Sequence, residues 1–345
     1  MVIIYLSDGY KGGNSTFLTQ NINYNLENKN NVILIDKNPK KNFPKLKGHK
    51  NFKLVQFDIF KEKQKVKNYI KNLEIKNHFF FFTNFKTLIY YFSYFTSYKK
   101  KNIKIAMALH SGIFLINLKL ILGLFLFSII ALKLDYLIFG SNSSKDWWLK
   151  KFPWMIYINS KVILNGIDLK KIKRKKPSKF RISFIGRLVI ENDPKLFLDI
   201  CKLNNKERKI TFNIFGDGIL KSKLINKVDN VKFWGWTDKE KIYKNTDISI
   251  ITSPINNFPY VALESISNGI PIITAAKGDI RKIIKNNLNG YILKERTAKN
   301  FNVFIKKTIQ NFKYLSKNSI IYSRKFDVKK SCKQIWKFLE LKNIR

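Results

Sequence analysis

The chain has 345 residues, 45% hydrophobic and 26% charged, enough for two α/β domains, each with its own core. Its 66 Lys and Arg against 23 Asp and Glu leave a formal net charge of +43. That exceeds what solubility requires, so it points to an anionic partner or to compositional drift toward Lys, Asn, Ile and Phe. Only Cys201 and Cys332 are present, without a CxxC pair, which argues against a disulfide framework or a zinc site and fits a reducing cytoplasm.

MVIIYLSDGYKGG lacks the basic and long apolar regions of a signal peptide and reads as a first strand followed by a Gly-rich turn. Apolar strands then alternate with helix-length segments: VIIYLS, VILID, KLVQFD, HFFFFT, IKIAMALH, YLIFGS and KVILNG. This is the pattern of a parallel, doubly wound sheet. Between Lys119 and Lys133 lies LILGLFLFSIIAL, apolar all round yet much shorter than the ~20 residues a spanning helix needs. It reads as a buried helix beneath the strand that follows, with a surface-docking helix as the alternative. No acidic residue occurs from Ile75 to Leu134, and Lys99, Lys100 and Lys101 follow a Phe/Tyr-rich run. Such a surface suits anionic lipid headgroups, and equally solvated lysines around a core.

Residues 1–165 thus read as a first Rossmann-like domain and residues 166–180, with LKKIKRKKPSK, as a charged connector. The strand pattern restarts over 181–325 with RISFIGRL, ITFNIFGDG, VKFWGW, ISIITSP and PIITAA. Residues 326–345 remain as a terminal helix able to return to the first domain. Two such α/β domains would face each other across a central cleft. No RNA- or DNA-binding module is recognisable, so the charge alone predicts only salt-sensitive, unspecific polyanion binding.

In NNFPYVALESISNGIPIIT, Phe258-Pro259 marks a turn, VALESISN a short helix closed by Gly269, and IPIIT a buried strand. Glu264 is then expected near the helix start, at the sheet's carboxyl edge, where amides suit phosphate and a carboxylate suits hydroxyls. A purely structural explanation is an acid favoured by the helix dipole.

Six strings in order, GGNSTFLTQN, ILNGIDLKKI, FIGRLVIENDP, FGDGILKSKL, VKFWGWTDKEKIYKNTDISIITSP and NNFPYVALESISNGIPIIT, resemble the retaining nucleotide-sugar glycosyltransferases of the family 4 type. That family has the GT-B fold. The likeness covers most of the chain and is densest from Val162 to Leu293. It implies a cytoplasmic enzyme, peripheral at the inner face of the membrane, that uses no metal or cofactor. The sugar would pass from a UDP-linked donor to an envelope glycan or lipid-linked acceptor, with retained configuration.

The resemblance also implies residue roles. Arg187 matches the family's phosphate-binding arginine, where a fixed guanidinium stabilises charge on the departing oxygen. Glu264 matches the carboxylate that holds the ribose hydroxyls, and the amides near Tyr260, Val261 and Ala262 would face the diphosphate. Gly186 and Gly216 belong to the donor-side turns, and Gly12 and Gly13 to a loop approaching donor and acceptor. His110 matches a histidine that contacts the donor sugar; a satisfied core histidine is the plain alternative. Two positions depart from the pattern. Asn256 stands where the family's first paired glutamate belongs, and Asn192 where a lysine is usual, with Lys195 nearby. A second reading is therefore a degenerate GT-B protein acting as a glycan- or membrane-binding partner subunit.

Overall fold

The computed structural model describes residues 2–7, 12–38, 43, 46, 49–73, 78–98, 103–110, 118–170, 172, 174–225, 228 and 230–340. The chain divides into two compact units, one of Met1–Asn165 with Val328–Arg345 and one of Gly166–Asp327.

The first unit runs β1 (Val2–Leu6), α1 (Gly13–Glu27), β2 (Asn31–Asp36), β3 (Phe52–Gln56), α2 (Lys63–Lys71), β4 (His78–Phe82), α3 (Phe85–Tyr98) and β5 (Lys104–Leu109). It continues through α4 (Leu118–Ala131), β6 (Tyr136–Phe139), α5 (Asn142–Lys151), a 3-10 helix at Pro153–Tyr157 and β7 (Ser160–Val162). All pairings are parallel, in the order β3-β2-β1-β4-β5-β6-β7. Helices cover both faces of such a sheet, which is why the central strands are unbroken apolar runs rather than alternating ones. Ile3, Ile4, Tyr5, Phe80, Phe81 and Phe82 are almost wholly buried.

Three tyrosines of α3 show what the Phe/Tyr-rich run does. Tyr90 and Tyr91 donate their hydroxyls to the carbonyls of Phe60 and Ile59, at 2.7 and 2.5 Å, and Tyr94 to that of Lys67 at 2.7 Å. Those rings fasten α3 to the segment after β3 and to α2, instead of forming an aromatic outer surface. Lys99, Lys100 and Lys101 lie outside the described residues.

The apolar helix differs from the expected buried one. Leu124, Phe127, Ser128, Ile130 and Ala131 of α4 are buried, with Phe127 edge-on to Trp148 at 5.2 Å. Ile121, Leu122, Phe125, Leu126 and Ile129 are 45% to 63% exposed. A helix packed against one layer buries one stripe, and among the described residues the opposite one stays exposed.

The second unit runs β8 (Phe180–Ile185), α6 (Pro194–Leu203), β9 (Ile210–Phe215), α7 (Lys221–Leu224), β10 (Val231–Gly235), α8 (Lys239–Lys244) and β11 (Ile248–Ile251). It ends with α9 (Tyr260–Ser267), β12 (Ile272–Thr274), α10 (Ile280–Ile283), β13 (Gly290–Ile292), α11 (Ala298–Gln310) and α12 (Phe312–Ser323). This sheet is also parallel, in the order β10-β9-β8-β11-β12-β13. Five of its strands are those expected; β13, only three residues long, is an addition.

Segment 166–180 is fastened to this unit. The guanidinium of Arg174 donates to the carbonyls of Asn268, Tyr243 and Thr246, the last at 2.7 Å, and so serves the C-terminal ends of α8 and α9. Asp247 lies 3.4 Å from Arg174 and takes a two-pronged pair from Arg181 at 2.9 Å. The last helix, α13 (Val328–Glu340), returns to the first unit. It buries Cys332, Ile335, Trp336 and Leu339, the spacing of one helical face. The Trp336 ring lies 5.7 Å from Phe79 and 6.1 Å from Phe81. Both cysteines are buried free thiols.

Candidate functional site

The second sheet reverses its strand order between β8 and β11. In open α/β sheets the crevice beyond the carboxyl ends at such a switch is where ligands bind. Gly186 and Arg187 follow β8, Gly216 to Gly218 follow β9, and Thr252 to Pro259 follow β11.

The turn after β9 is shaped by a backbone approach. Gly216 has φ +139°, and a Cβ there would stand 1.9 Å from the carbonyl oxygen of Gly186. The GDG string is therefore explained by two loops in contact. Leu188 N–H donates to the Asp217 carbonyl at 2.9 Å, and Leu220 N–H to the Leu188 carbonyl at 3.0 Å. Arg187 lies between the pinned Gly186 and the buried Leu188, and is itself exposed.

Asn192 shapes the same loop. Its side-chain amide donates to the Arg187 carbonyl at 2.9 Å, and its own carbonyl accepts from Thr252 Oγ1 at 2.8 Å. Arg296 adds a second lace across the switch, pairing with Asp193 and donating to the Thr252 carbonyl at 3.2 Å. Lys195, in the first turn of α6, is exposed.

Asn256 lies in the loop after β11 and is half-buried. Its N–H donates to the Lys277 carbonyl at 2.8 Å, its carbonyl accepts from Ile280 at 3.2 Å, and its amide donates to Ser253 Oγ at 2.6 Å. Helix α9 begins immediately afterwards, with Pro259 as its N-cap and the Pro259 carbonyl accepting from Ala262 at 3.1 Å. Tyr260, Val261 and Ala262 thus form the first turn, in which the Ala262 amide is taken up by the Pro259 carbonyl. Of these, Tyr260 and Ala262 are buried.

Glu264 is the fifth residue of α9, beyond the first turn, and not at the helix start as expected. Dipole stabilisation fades within one turn, so the purely structural explanation loses its footing. The residue is buried, with one oxygen held by the Lys239 ammonium and the other by the Tyr243 hydroxyl at 2.5 Å. Lys239 and Tyr243 stand four apart on α8, on one face. Burial, then the neighbouring carboxylate, pushes the Tyr243 phenol well above its ordinary range, so it remains a proton donor to Glu264. A carboxylate offers about four lone-pair sites, and two remain for hydroxyls of a ligand.

The first unit has its own switch, between β1 and β4. Gly12, with φ +92°, is the N-cap of α1, and Gly13 is the helix's first residue. His110 follows β5, and its ring meets Phe17 of α1 edge-on at 4.3 Å. Gly140, after β6, leaves room for it, since a Cβ there would stand 2.8 Å from His110 Nδ1. Both ring nitrogens are sealed from solvent. Burial lowers the imidazole pKa to about 4, with the Asn165 amide opposing. His110 is therefore neutral at pH 7.

The structure thus gathers Gly186, Arg187, Asn192 and Gly216 at one switch, with Asn256 in the loop after β11 and Tyr260 to Glu264 on α9. Gly12, Gly13 and His110 belong to the other unit. Lys239, Tyr243, Arg296, Phe17 and Gly140 were not singled out in the sequence. The i, i+4 spacing of Lys239 and Tyr243 in TDKEKIYKN was a signal; their pairing with Glu264, more than 20 residues away in sequence, was not.

Residues 167–326 match the family model described as glycosyl transferases group 1. The UDP-Gal:alpha-D-GlcNAc-diphosphoundecaprenol alpha-1,3-galactosyltransferase of Escherichia coli is 28% identical over 156 residues, covering 38% of this chain and 40% of that protein. An uncharacterized 41.2 kDa protein in the cps region of Klebsiella pneumoniae is 26% identical over 149 residues, covering 39% of this chain and 41% of the relative. The chain therefore spans about two fifths of the length of these curated relatives. Anabaena HepE in complex with UDP-glucose superposes with a TM-score of 0.77 at 17% identity, covering 98% of this chain and 99% of that one. That likeness shows the fold, two Rossmann-like domains of the GT-B type.

Proposed function

From a chain whose residues 167–326 match the glycosyl transferases of group 1, on a GT-B fold, we infer that this protein moves a hexosyl group from a UDP-linked sugar to an acceptor. The acceptor is a cell-envelope glycan or a lipid-linked saccharide, and the anomeric configuration is retained. The observation that carries this reading is the switch of the second sheet, where Arg187 is exposed on a loop pinned by Gly186 and Gly216. The activity for which the E. coli relative is named and the cps-region origin of the Klebsiella one support the choice of donor and acceptor.

In this reading the bond between the anomeric carbon and the diphosphate oxygen breaks while the acceptor oxygen bonds to that carbon from the same face. The acceptor proton passes to the departing diphosphate. Charge on that leaving group is met by Arg187, Lys195 and the first-turn amides of α9 rather than by a metal ion. Glu264 accepts the ribose hydroxyls, oriented by Lys239 and Tyr243. The partner-subunit reading keeps one observation in its favour: the amide at Asn256 is bonded to Ser253 and brings no negative charge to the sugar.

The test is purified full chain with a panel of nucleotide sugars, reading nucleoside diphosphate release and binding. Binding and slow release with a UDP-sugar are expected, with weaker binding and an unchanged melting temperature in Glu264→Gln. Binding without any release would favour the partner subunit, and no nucleotide binding at all would overturn both readings.

A further inference from the structure

We propose that the outward face of α4, together with the 3-10 helix at Pro153–Tyr157, is a docking surface for an anionic lipid bilayer. The proposal deepens the reading of a lipid-linked acceptor by naming the surface on which that acceptor is met.

Ile121, Leu122, Phe125, Leu126 and Ile129 repeat at the spacing that lines one side of a helix, and Leu132 extends the row at 42% exposure. Phe125 meets the Trp154 ring at 5.8 Å, so the stripe continues onto the 3-10 helix, where Ile156 is 66% and Tyr157 86% exposed. Such a face covers on the order of several hundred Å², the size at which exposed apolar patches on monomers mark an interaction site.

Length and charge select the occupant. Helix α4 has 14 residues, roughly 21 Å, too short to cross a hydrocarbon core of about 30 Å. Among the described residues no helix is long and apolar enough to do so. It can instead lie in the plane of an interface, its buried side held by the protein and its outer side in the acyl boundary. Exposed lysines flank the patch residues in sequence, Lys133 directly after Leu132, and Lys150 and Lys151 ahead of Phe152, the N-cap of the 3-10 helix. The sequence from Ile75 to Leu134 holds eight lysines and no acid, and Asp146 is the exposed acid on the adjoining α5. A protein partner of mixed charge would not call for that bias, whereas anionic headgroups would. Tyr157, apolar in body and polar at its tip, suits the headgroup level.

The test is flotation of the full chain with vesicles of phosphatidylglycerol and phosphatidylcholine, and with vesicles of phosphatidylcholine alone, in the absence of nucleotide sugar. The wild type should bind the anionic vesicles at least tenfold better and be released as salt rises. L122D/L126D should lose at least tenfold, as should I156D/Y157D, which keeps the test decisive where the helix variant folds poorly. K150E/K151E should lose binding to anionic vesicles while keeping the wild-type melting temperature. Equal binding to both vesicles, no binding by the wild type, or wild-type binding by folded variants of both apolar pairs would overturn the proposal. So would a concentration-dependent dimer that L122D/L126D abolishes without any vesicle binding. Donor binding measured on the same variants separates this failure from that of the transfer reading, because none of these residues lies at the switch of the second sheet.

Discussion

His110 sets a pH dependence that can be isolated from the rest of the chain. Its imidazole has an ordinary pKa of 6.5, and burial against Phe17 lowers it to about 4. Between those values the unfolded chain takes up a proton that the folded chain refuses, so stability falls as pH falls from 6.5 toward 4. Above 6.5 both states are neutral and the contribution is full; below 4 both are charged and no further loss accrues. At about 1.36 kcal/mol per unit, the cost is about 2 kcal/mol by pH 5 and about 3 kcal/mol by pH 4. Urea unfolding of the wild type and of His110→Asn at pH 7 and pH 5 measures it. Carboxylates titrate in both proteins, so the difference between the two pH dependences reports His110 alone. Expected is a loss about 2 kcal/mol smaller in the variant. An equal loss in both, or an imidazole resonance titrating near 6.5 in the folded protein, would refute the reasoning.

Further outcomes follow from the switch of the second sheet and from segment 166–180. Arg187→Ala should leave the melting temperature unchanged, its side chain being exposed, and should slow turnover by about 10² to 10³-fold, the usual effect of removing one fixed donor to developing charge. Gly216→Ala places a methyl against the Gly186 carbonyl at a φ of +139°; calorimetry should show a loss of roughly 2 kcal/mol or more, with the loop carrying Arg187 displaced. Arg174→Ala strips three carbonyls of their donor and removes one of two cations from Asp247. Chemical denaturation should register roughly 2 to 4 kcal/mol.

Much of the fold could be read because buried parallel strands are written as unbroken apolar runs. VIIYLS, HFFFFT and ISIITSP could hardly serve elsewhere. Strand β13 escaped because Gly-Tyr-Ile is too short to carry a period. Helix α4 posed the opposite problem. A segment apolar on every side names no face, so its sequence could not say that Leu124 and Phe127 turn inward while Leu122 and Phe125 turn out. The position of Glu264 hinged on where α9 starts. Pro259 was read as a turn signal, but as an N-cap it brings Tyr260 into the helix and pushes the carboxylate past the first turn. Its partners Lys239 and Tyr243 sit on another helix, and only the packing of α8 beside α9 brings them to it. Asn192 was weighed as the loss of a phosphate-binding lysine. Its short side chain donates to the Arg187 carbonyl, five residues back, so the amide shapes the loop that carries Arg187.

The fastening of segment 166–180 bears on where the second unit begins as a piece of protein. A chain cut at Phe180, where its first strand opens, would leave the last carbonyls of two helices, at Tyr243 and Asn268, and that of Thr246 without the guanidinium that serves them. Asp247 would keep Arg181 but lose half of its counter-charge in a place that water hardly reaches. Backbone carbonyls at helix ends need partners whether or not they lie near a strand. The smallest fragment able to stand alone therefore starts before Arg174. The family match beginning at residue 167 has the same physical sense: the residues ahead of the first strand are the clasp of the unit that follows them.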